Sequence, residues 1–277
     1  MLRRITGALM RGILVAVMIA SPSLLLPDYT TDAIEIVALL AIVGAGLTFA
    51  EYFANYPSIV EFRDAPPLNR LRFVGLFLMV LVLTLASKNI YEPTAITGFF
   101  SGLGQVVGHY SDFPYSPVRL VIGMLPDGIS NMVVERVRDA AGVAYAIALT
   151  SVVVFIGAVR LYGWPTRNGA FNVWVNLPRF DPTAGGDVVH RLQRDGRINA
   201  VLGIALPFLI PTLVRMTSDL IDPITLAHPQ TMIWTISAWA FLPASMIMRG
   251  IAMMRIAELI EDKRRRASQE SEPVHLL

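Results

Sequence analysis

Residues 33–53 read AIEIVALLAIVGAGLTFAEYF, and residues 36–50 of this stretch carry no charged side chain. A lipid bilayer offers the backbone no hydrogen-bonding partner, so an apolar run of about 17 to 25 residues forms a membrane-spanning helix. The stretch therefore predicts a span. Five further apolar stretches have the same character, at residues 5–26, 71–87, 140–161, 198–217 and 231–254. The predicted fold is all-α, a polytopic integral membrane protein with six transmembrane helices and short interfacial helices in its loops.

Positive charge is distributed unevenly between the two ends of these predicted spans. Of the 23 Lys and Arg residues, 18 lie in the two tails, in the gaps on the same side of the membrane as the tails, or at the span ends that face that side. The other 5 are Lys88, Arg119, Arg136, Arg138 and Arg215. Lys and Arg near span ends remain on the cytoplasmic side during insertion. The bias predicts that the N- and C-termini are both cytoplasmic.

Composition supports a membrane protein and indicates its origin. Charged residues make up 16% of the chain, against about 25% in an average soluble protein. The chain has 21 Arg and 2 Lys, a bias typical of G+C-rich bacterial genomes, which favours the bacterial cytoplasmic (inner) membrane. Residues 1–257 are predicted to form one six-helix transmembrane domain, and residues 258–277 a charged cytoplasmic tail. No small-x-small cleavage site clearly follows the first span, so we expect it to be retained.

The long outer region between the third and fourth spans is apolar rather than hydrophilic. Residues 95–107 and 117–125 hold most of its apolar side chains. Two interpretations of residues 95–125 compete: interfacial helices on the membrane surface, or a re-entrant segment that dips between spans. The polar residues and prolines that interrupt the region favour short interfacial pieces.

Three features are predicted in the inner loops. Ser58 and Glu61 have capping-box spacing and predict a short interfacial helix that ends at the two prolines 66 and 67. The alternating residues 171–177 predict a short extended segment. Residues 187–197 predict a basic amphipathic helix that lies against anionic lipid. The side chains expected to contact lipid headgroups are Arg191, Arg194, Arg197, Lys263, Arg264, Arg265 and Arg266.

Small residues and prolines indicate how the spans pack. Gly44 and Gly46 in the second span should let another helix approach closely. Ala140, Ala144 and Ala148 recur every four residues and predict a close-packing face on the fourth span. Proline removes a helical hydrogen bond, so kinks are predicted in the later spans. The kinking residues are Pro207, Pro211 and Pro243.

Polar residues at the outer end of the fifth span, together with residues from the two outer regions, form a candidate outer polar cluster. Its predicted members are Arg215, Asp219, Asp222, His228, His109 and Asp112. One interpretation is a polar pocket at the outer surface. The other, which position favours, is a set of side chains satisfied at the water boundary. A metal site would need three or four ligands converging in space, which sequence cannot establish.

The remaining motifs argue against an enzyme. The chain has no cysteine, which excludes disulfides and thiolate chemistry. It contains no phosphate-binding glycine loop and no GxSxG motif. The four histidines lie outside the predicted spans, which argues against a haem held between transmembrane helices. We therefore expect no catalytic, cofactor-binding or metal-binding residues, no cofactor and no nucleic-acid partner.

Two function classes remain. The first is a non-enzymatic accessory or scaffold subunit, which would act through other membrane protein subunits or through further copies of itself. The second is a small-solute transporter or channel component, with a path near the proline-kinked fifth and sixth spans. Transporters use broken helices near the bilayer midplane to bind solutes. We favour the accessory subunit because proline also occurs in membrane helices that only bend.

Overall fold

The computed structural model describes residues 2–27, 31–165, 172–178, 180, 185–217 and 226–271. The chain forms nine α-helices within these residues. In chain order they are α1 Leu2–Leu25, α2 Thr31–Phe53, α3 Leu68–Lys88, α4 Ala95–Ser111, α5 Pro117–Ile122, α6 Asn131–Leu161, α7 Val173–Asn176, α8 Val188–Thr217 and α9 Pro229–Ser271.

Six of the described helices are long and apolar enough to cross a membrane: α1, α2, α3, α6, α8 and α9. Each of them coincides with one of the six stretches identified from sequence; α1 ends one residue before its stretch does, and the other five helices contain theirs. The fold prediction is confirmed: the chain is an all-helical, polytopic membrane protein. Helix length differs from the prediction mainly at α6, α8 and α9, which extend beyond their apolar portions.

Three helices form the centre of the bundle. α3, α6 and α9 each contact the other two, α8 packs along α9, and the α1–α2 pair contacts α3. The centre is filled with fully buried side chains that include Met79, Ala144, Ile236 and Met248. α2 is different because it exposes apolar residues such as Leu39 on several sides. A helix that is apolar all round suits a hydrocarbon environment, so α2 lies at the periphery.

The region between α3 and α6 is helical and packed onto the bundle. Thr94 caps α4: its hydroxyl accepts the Thr97 backbone N–H at 3.2 Å. A Cβ added at Gly104 or Gly108 would contact Asp139 of α6, and one added at Gly98 would contact Asn89 just after α3. α4 therefore crosses α6 near the Lys88 end of α3.

The loop after α2 is not helical, so the short helix predicted there is wrong. Residues 54–67 form turns and bends. The Glu51 carboxylate accepts the backbone N–H groups of Ser58, Ile59 and Val60 at 3.0, 2.9 and 3.0 Å. The Ser58 hydroxyl also donates to Glu51. The Glu51 carboxylate therefore binds the backbone N–H groups that would form the first turn of the predicted helix.

The extended segment predicted at residues 171–177 is also wrong where the structure describes it. Val173–Asn176 forms the four-residue helix α7. Asn176 donates from its backbone N–H and its side-chain amide to the Asn172 carbonyl, at 3.1 and 2.9 Å. Its own carbonyl accepts the Phe62 N–H at 2.6 Å. A local turn thus joins the two inner loops.

The basic amphipathic helix predicted at residues 187–197 is not a separate element. α8 begins at Val188 and continues through the fifth span. Val189 and Leu192, the apolar side chains expected to rest on lipid, are buried in the protein core. The amphipathic pattern was interpreted correctly as helical, but the surface that it covers is protein.

The charged segment that begins at residue 258 continues α9 as far as Ser271. Residues 272–277 lie outside the described residues. Arg264 on this extension donates to Asp187 at the start of α8, with a distance of 2.7 Å to Oδ1. This hydrogen bond lowers the pKa of the Asp187 carboxyl. The extension is thereby linked to the N-terminal end of α8.

Candidate functional site

The proline-containing part of α8 is joined to α9 by a hydrogen bond to a backbone carbonyl that proline leaves without its helical donor. Pro211 has no backbone N–H, so the carbonyl of Pro207 has no donor four residues ahead. The Trp239 indole of α9 donates to that carbonyl at 3.2 Å. Trp239 is buried and stacks on Tyr145 of α6, with 5.9 Å between ring centroids. The freed backbone group is therefore satisfied inside the protein.

α8 and α9 approach so closely that their backbones touch at glycines. A Cβ added at Gly203 would lie 2.7 Å from the carbonyl oxygen of Pro243. One added at Gly250 would lie 2.5 Å from the carbonyl oxygen of Gly196 and 2.9 Å from the backbone nitrogen of Ala200. These glycines were not singled out from sequence. The seven-residue spacing of Gly196 and Gly203, two turns on one helix face, is the signal that could have identified them.

The residues expected to permit close packing occupy different environments. Ala140, Ala144 and Ala148 are all buried on α6. A Cβ added at Gly44 would lie 2.8 Å from Ile19 of α1, whereas one added at Gly46 would meet nothing within 4 Å. Of the two glycines, only Gly44 therefore faces the neighbouring helix.

The members of the candidate outer polar cluster lie on several elements. Asp112 follows α4 and pairs with Arg119 of α5, with 2.6 Å between Oδ1 and Nε. Arg215 lies at the other end of α5, because a Cβ added at Gly123 would be 3.2 Å from its Nη1. His109 and His228 are exposed. Asp219 and Asp222 lie outside the described residues. Arg119 thus lies on the short helix α5, and the Arg215 guanidinium lies beside the residue that follows this helix.

A cavity of about 280 Å³ lies beside this region, between α3, α4 and α6. One part of its wall is polar and includes Gln105, Glu135 and Asp139. The other part is apolar and includes Val82 and Phe100. The Asp139 side chain is held by Arg138, with 2.9 Å between Oδ1 and Nη2. This mixed wall could accommodate an amphipathic molecule.

The opposite end of the bundle contains a charged network that sequence reasoning did not identify. Arg249 of α9 forms two hydrogen bonds with the Glu61 carboxylate, at 2.5 and 2.8 Å. Arg72 of α3 donates to the Ser245 carbonyl at 2.9 Å, and Asn69 donates to the Glu61 carbonyl at 2.7 Å. The Glu61 side chain is 8% exposed. These contacts connect the first inner loop to α3 and α9.

Trp164 completes this inner network. Its indole N–H donates to the carbonyl of Ala65 at 3.0 Å, and the ring packs against Phe62 and Phe155. The ring is buried. Trp164 therefore fixes the segment after α6 to the loop after α2.

Within the described part of the chain, no three His, Asp or Glu residues converge as a metal site would require. Comparison of the chain with protein families, curated proteins and solved structures found no match.

Proposed function

We propose that this membrane protein is a non-enzymatic accessory or scaffold subunit of the bacterial inner membrane. The observation that carries the proposal is the hydrogen bond from Trp239 to the Pro207 carbonyl. Transporters direct such freed backbone groups towards solutes and ions. Here the carbonyl stabilises the contact between α8 and α9, which favours a structural role for the prolines.

The packed interior supports the same function. Where α3, α6 and α9 meet, most of the buried side chains are apolar, among them Val80, Ile233 and Ala240; the buried polar side chains Thr84 and Ser237 lie on α3 and α9. A solute path would need polar groups and space at this depth. We therefore expect the protein to act through its outer surfaces, with both termini in the cytoplasm as the distribution of arginine predicts.

The groove between α3 and α6 is the surface that we propose for a partner helix. It is a cavity of about 470 Å³ whose wall includes the small residues Gly75, Ala146 and Ser151. Leu103 and Val107 of α4 line one end. Small residues let helix backbones approach closely in a membrane, where packing rather than water exclusion drives association.

Purification in mild detergent, followed by mass spectrometry, tests the proposal. We expect the protein to be isolated with other membrane proteins, or with further copies of itself, at constant stoichiometry. Ala146→Phe would fill the groove and should release the partner, since a packed interface tolerates added volume poorly. Ala50→Phe is the matched control, because Ala50 is exposed on α2 and lies outside this groove. Equal retention of the partner by both variants would count against the groove, and a solitary protein would count against the function.

The alternative is a small-solute transporter or channel component. The cavity between α3, α4 and α6 favours it, because its wall carries Gln105, Glu135 and Asp139. The candidate outer polar cluster would then lie at the mouth of the path. Solute uptake by the purified chain alone in proteoliposomes would support this alternative over the accessory subunit.

A further inference from the structure

A second polar cavity, of about 430 Å³, lies where the first turns of α1 meet the end of α2 and the loop that follows it. Its polar lining is formed by Arg3, Arg4, Arg11, Arg63, Tyr52, Asn55 and Asp64. We refer to this cavity as the arginine pocket. It brings together basic residues that are 60 positions apart in the chain.

Uncharged groups hold two of these arginines in place. Arg4 donates to the side-chain carbonyl of Asn55 at 2.8 Å. Arg11 donates to the Gly7 carbonyl at 2.7 Å, and its guanidinium lies 4.6 Å from the centre of the Tyr52 ring. These contacts orient the guanidinium groups and leave their positive charge uncompensated.

Arg63 is fixed most firmly. Its side chain is 8% exposed, and Nη1 donates to the carbonyls of Glu51 and Ala54 at 3.0 and 2.7 Å. It therefore caps the C-terminal end of α2. Its Nε lies 3.2 Å from Asp64, the one acidic residue among the described residues that line the pocket.

The pocket thus combines four guanidinium groups with one carboxylate. Like charges that line one cavity repel each other, and an anion between them would reduce that repulsion. Guanidinium groups present planar pairs of donors that match phosphate oxygens. A phosphate or phosphodiester group is therefore the chemistry that fits best.

The position of the pocket identifies the molecule that would carry this group. Immediately after Arg11, α1 exposes the apolar residues Ile13, Leu14 and Val17. We infer that the arginine pocket binds the phosphodiester group of an anionic phospholipid whose acyl chains lie along α1. The inference extends beyond the proposed accessory function and does not depend on it. It also differs from a general attraction of the basic α9 extension to lipid.

Native mass spectrometry of the full-length protein in mild detergent, titrated with phosphatidylglycerol, tests the inference. Arg4→Gln combined with Arg11→Gln should weaken binding by about tenfold, because two charge-assisted contacts are lost. Lys263→Gln combined with Arg266→Gln removes the same charge from exposed positions on α9 and should leave binding unchanged. Asp64→Asn should strengthen binding by about twofold, a gain that misfolding would not produce.

Several outcomes would overturn the inference. Unchanged binding in the Arg4 and Arg11 variant would exclude the pocket as the site. Equal weakening in the α9 control would indicate general electrostatic attraction. Equally tight binding of phosphatidylcholine would contradict selection of an anion. Displacement of the lipid by inorganic phosphate at equal concentration would instead identify free phosphate as the ligand.

Discussion

Replacement of Glu61 by leucine is expected to lower the free energy of unfolding by about 3 to 5 kcal/mol. The substitution leaves Arg249 without the carboxylate to which it donates at 2.5 and 2.8 Å. It also removes the negative charge close to Arg72. An unpaired charge held away from water is costly, and unfolding in mild detergent would measure that cost.

A double substitution distinguishes the effect of the unpaired charge from the effect of a changed loop geometry. Glu61→Leu combined with Arg249→Met should recover the part of the lost stability that comes from the unpaired Arg249, because an apolar pair often replaces a buried ion pair at little cost. Asp262→Asn is the control: it breaks an exposed pair with Arg265, whose side chains are 47% and 68% exposed, and should change stability by less than about 1 kcal/mol. If Glu61→Leu destabilised no more than Asp262→Asn, the network would not hold the inner loop.

Gly250→Ala is the second substitution with a large expected effect. Its Cβ would lie 2.5 Å from the Gly196 carbonyl oxygen, so α8 and α9 would have to move apart. Overpacking of this kind costs about 1 to 3 kcal/mol. The melting temperature of the purified protein should fall.

Gly157→Ala on α6 is the matched control for that substitution. An added Cβ there would meet nothing within 4 Å, so the higher helix propensity of alanine should leave stability equal or raise it by up to about 1 kcal/mol. Equal destabilisation by the two substitutions would show that the effect comes from the loss of glycine itself. The close contact between α8 and α9 would then be absent.

The six spans could be predicted because the length and polarity of an apolar run are local properties of the chain. The partners of individual side chains could not, because they depend on distant segments. Ser58 and Glu61 fit a capping box by spacing, yet Glu51 accepts from Ser58 and Arg249 binds Glu61. Arg249 lies 188 positions from Glu61, and no local pattern connects them.

The sequence also does not determine which face of each helix turns towards its neighbour, so packing faces could be predicted only in part. Gly44 and Gly46 are equivalent in composition, but two positions correspond to about half a turn. Gly44 therefore faces α1 and Gly46 does not. The amphipathic pattern around Leu192 is also ambiguous, because an apolar helix face can pack against either lipid or protein. In the structure α8 packs along α9, and Leu192 is buried in the protein core.

The candidate outer polar cluster was grouped by side, because its members lie at the outer end of the fifth span or in the outer regions between spans. Its assembly depends on how the intervening helices are arranged. Asp112 pairs with a nearby residue, Arg119, which is not among the predicted members of the cluster. Sequence position alone therefore locates polar residues at a membrane boundary without specifying which of them meet.

The arginine-biased, six-span topology is the central claim of this account, and reporter fusions at successive loops test it most directly. Reporters would be placed near Tyr29, Ser111 and Pro223, where we expect an external signal, and after Arg72, Arg197 and Leu277, where we expect a cytoplasmic one. Alternation of the signal along the chain, with both ends cytoplasmic, is the predicted result. A cytoplasmic signal at Ser111 would contradict the account, because it would place α4 and the charged end of α6 on the wrong side of the membrane.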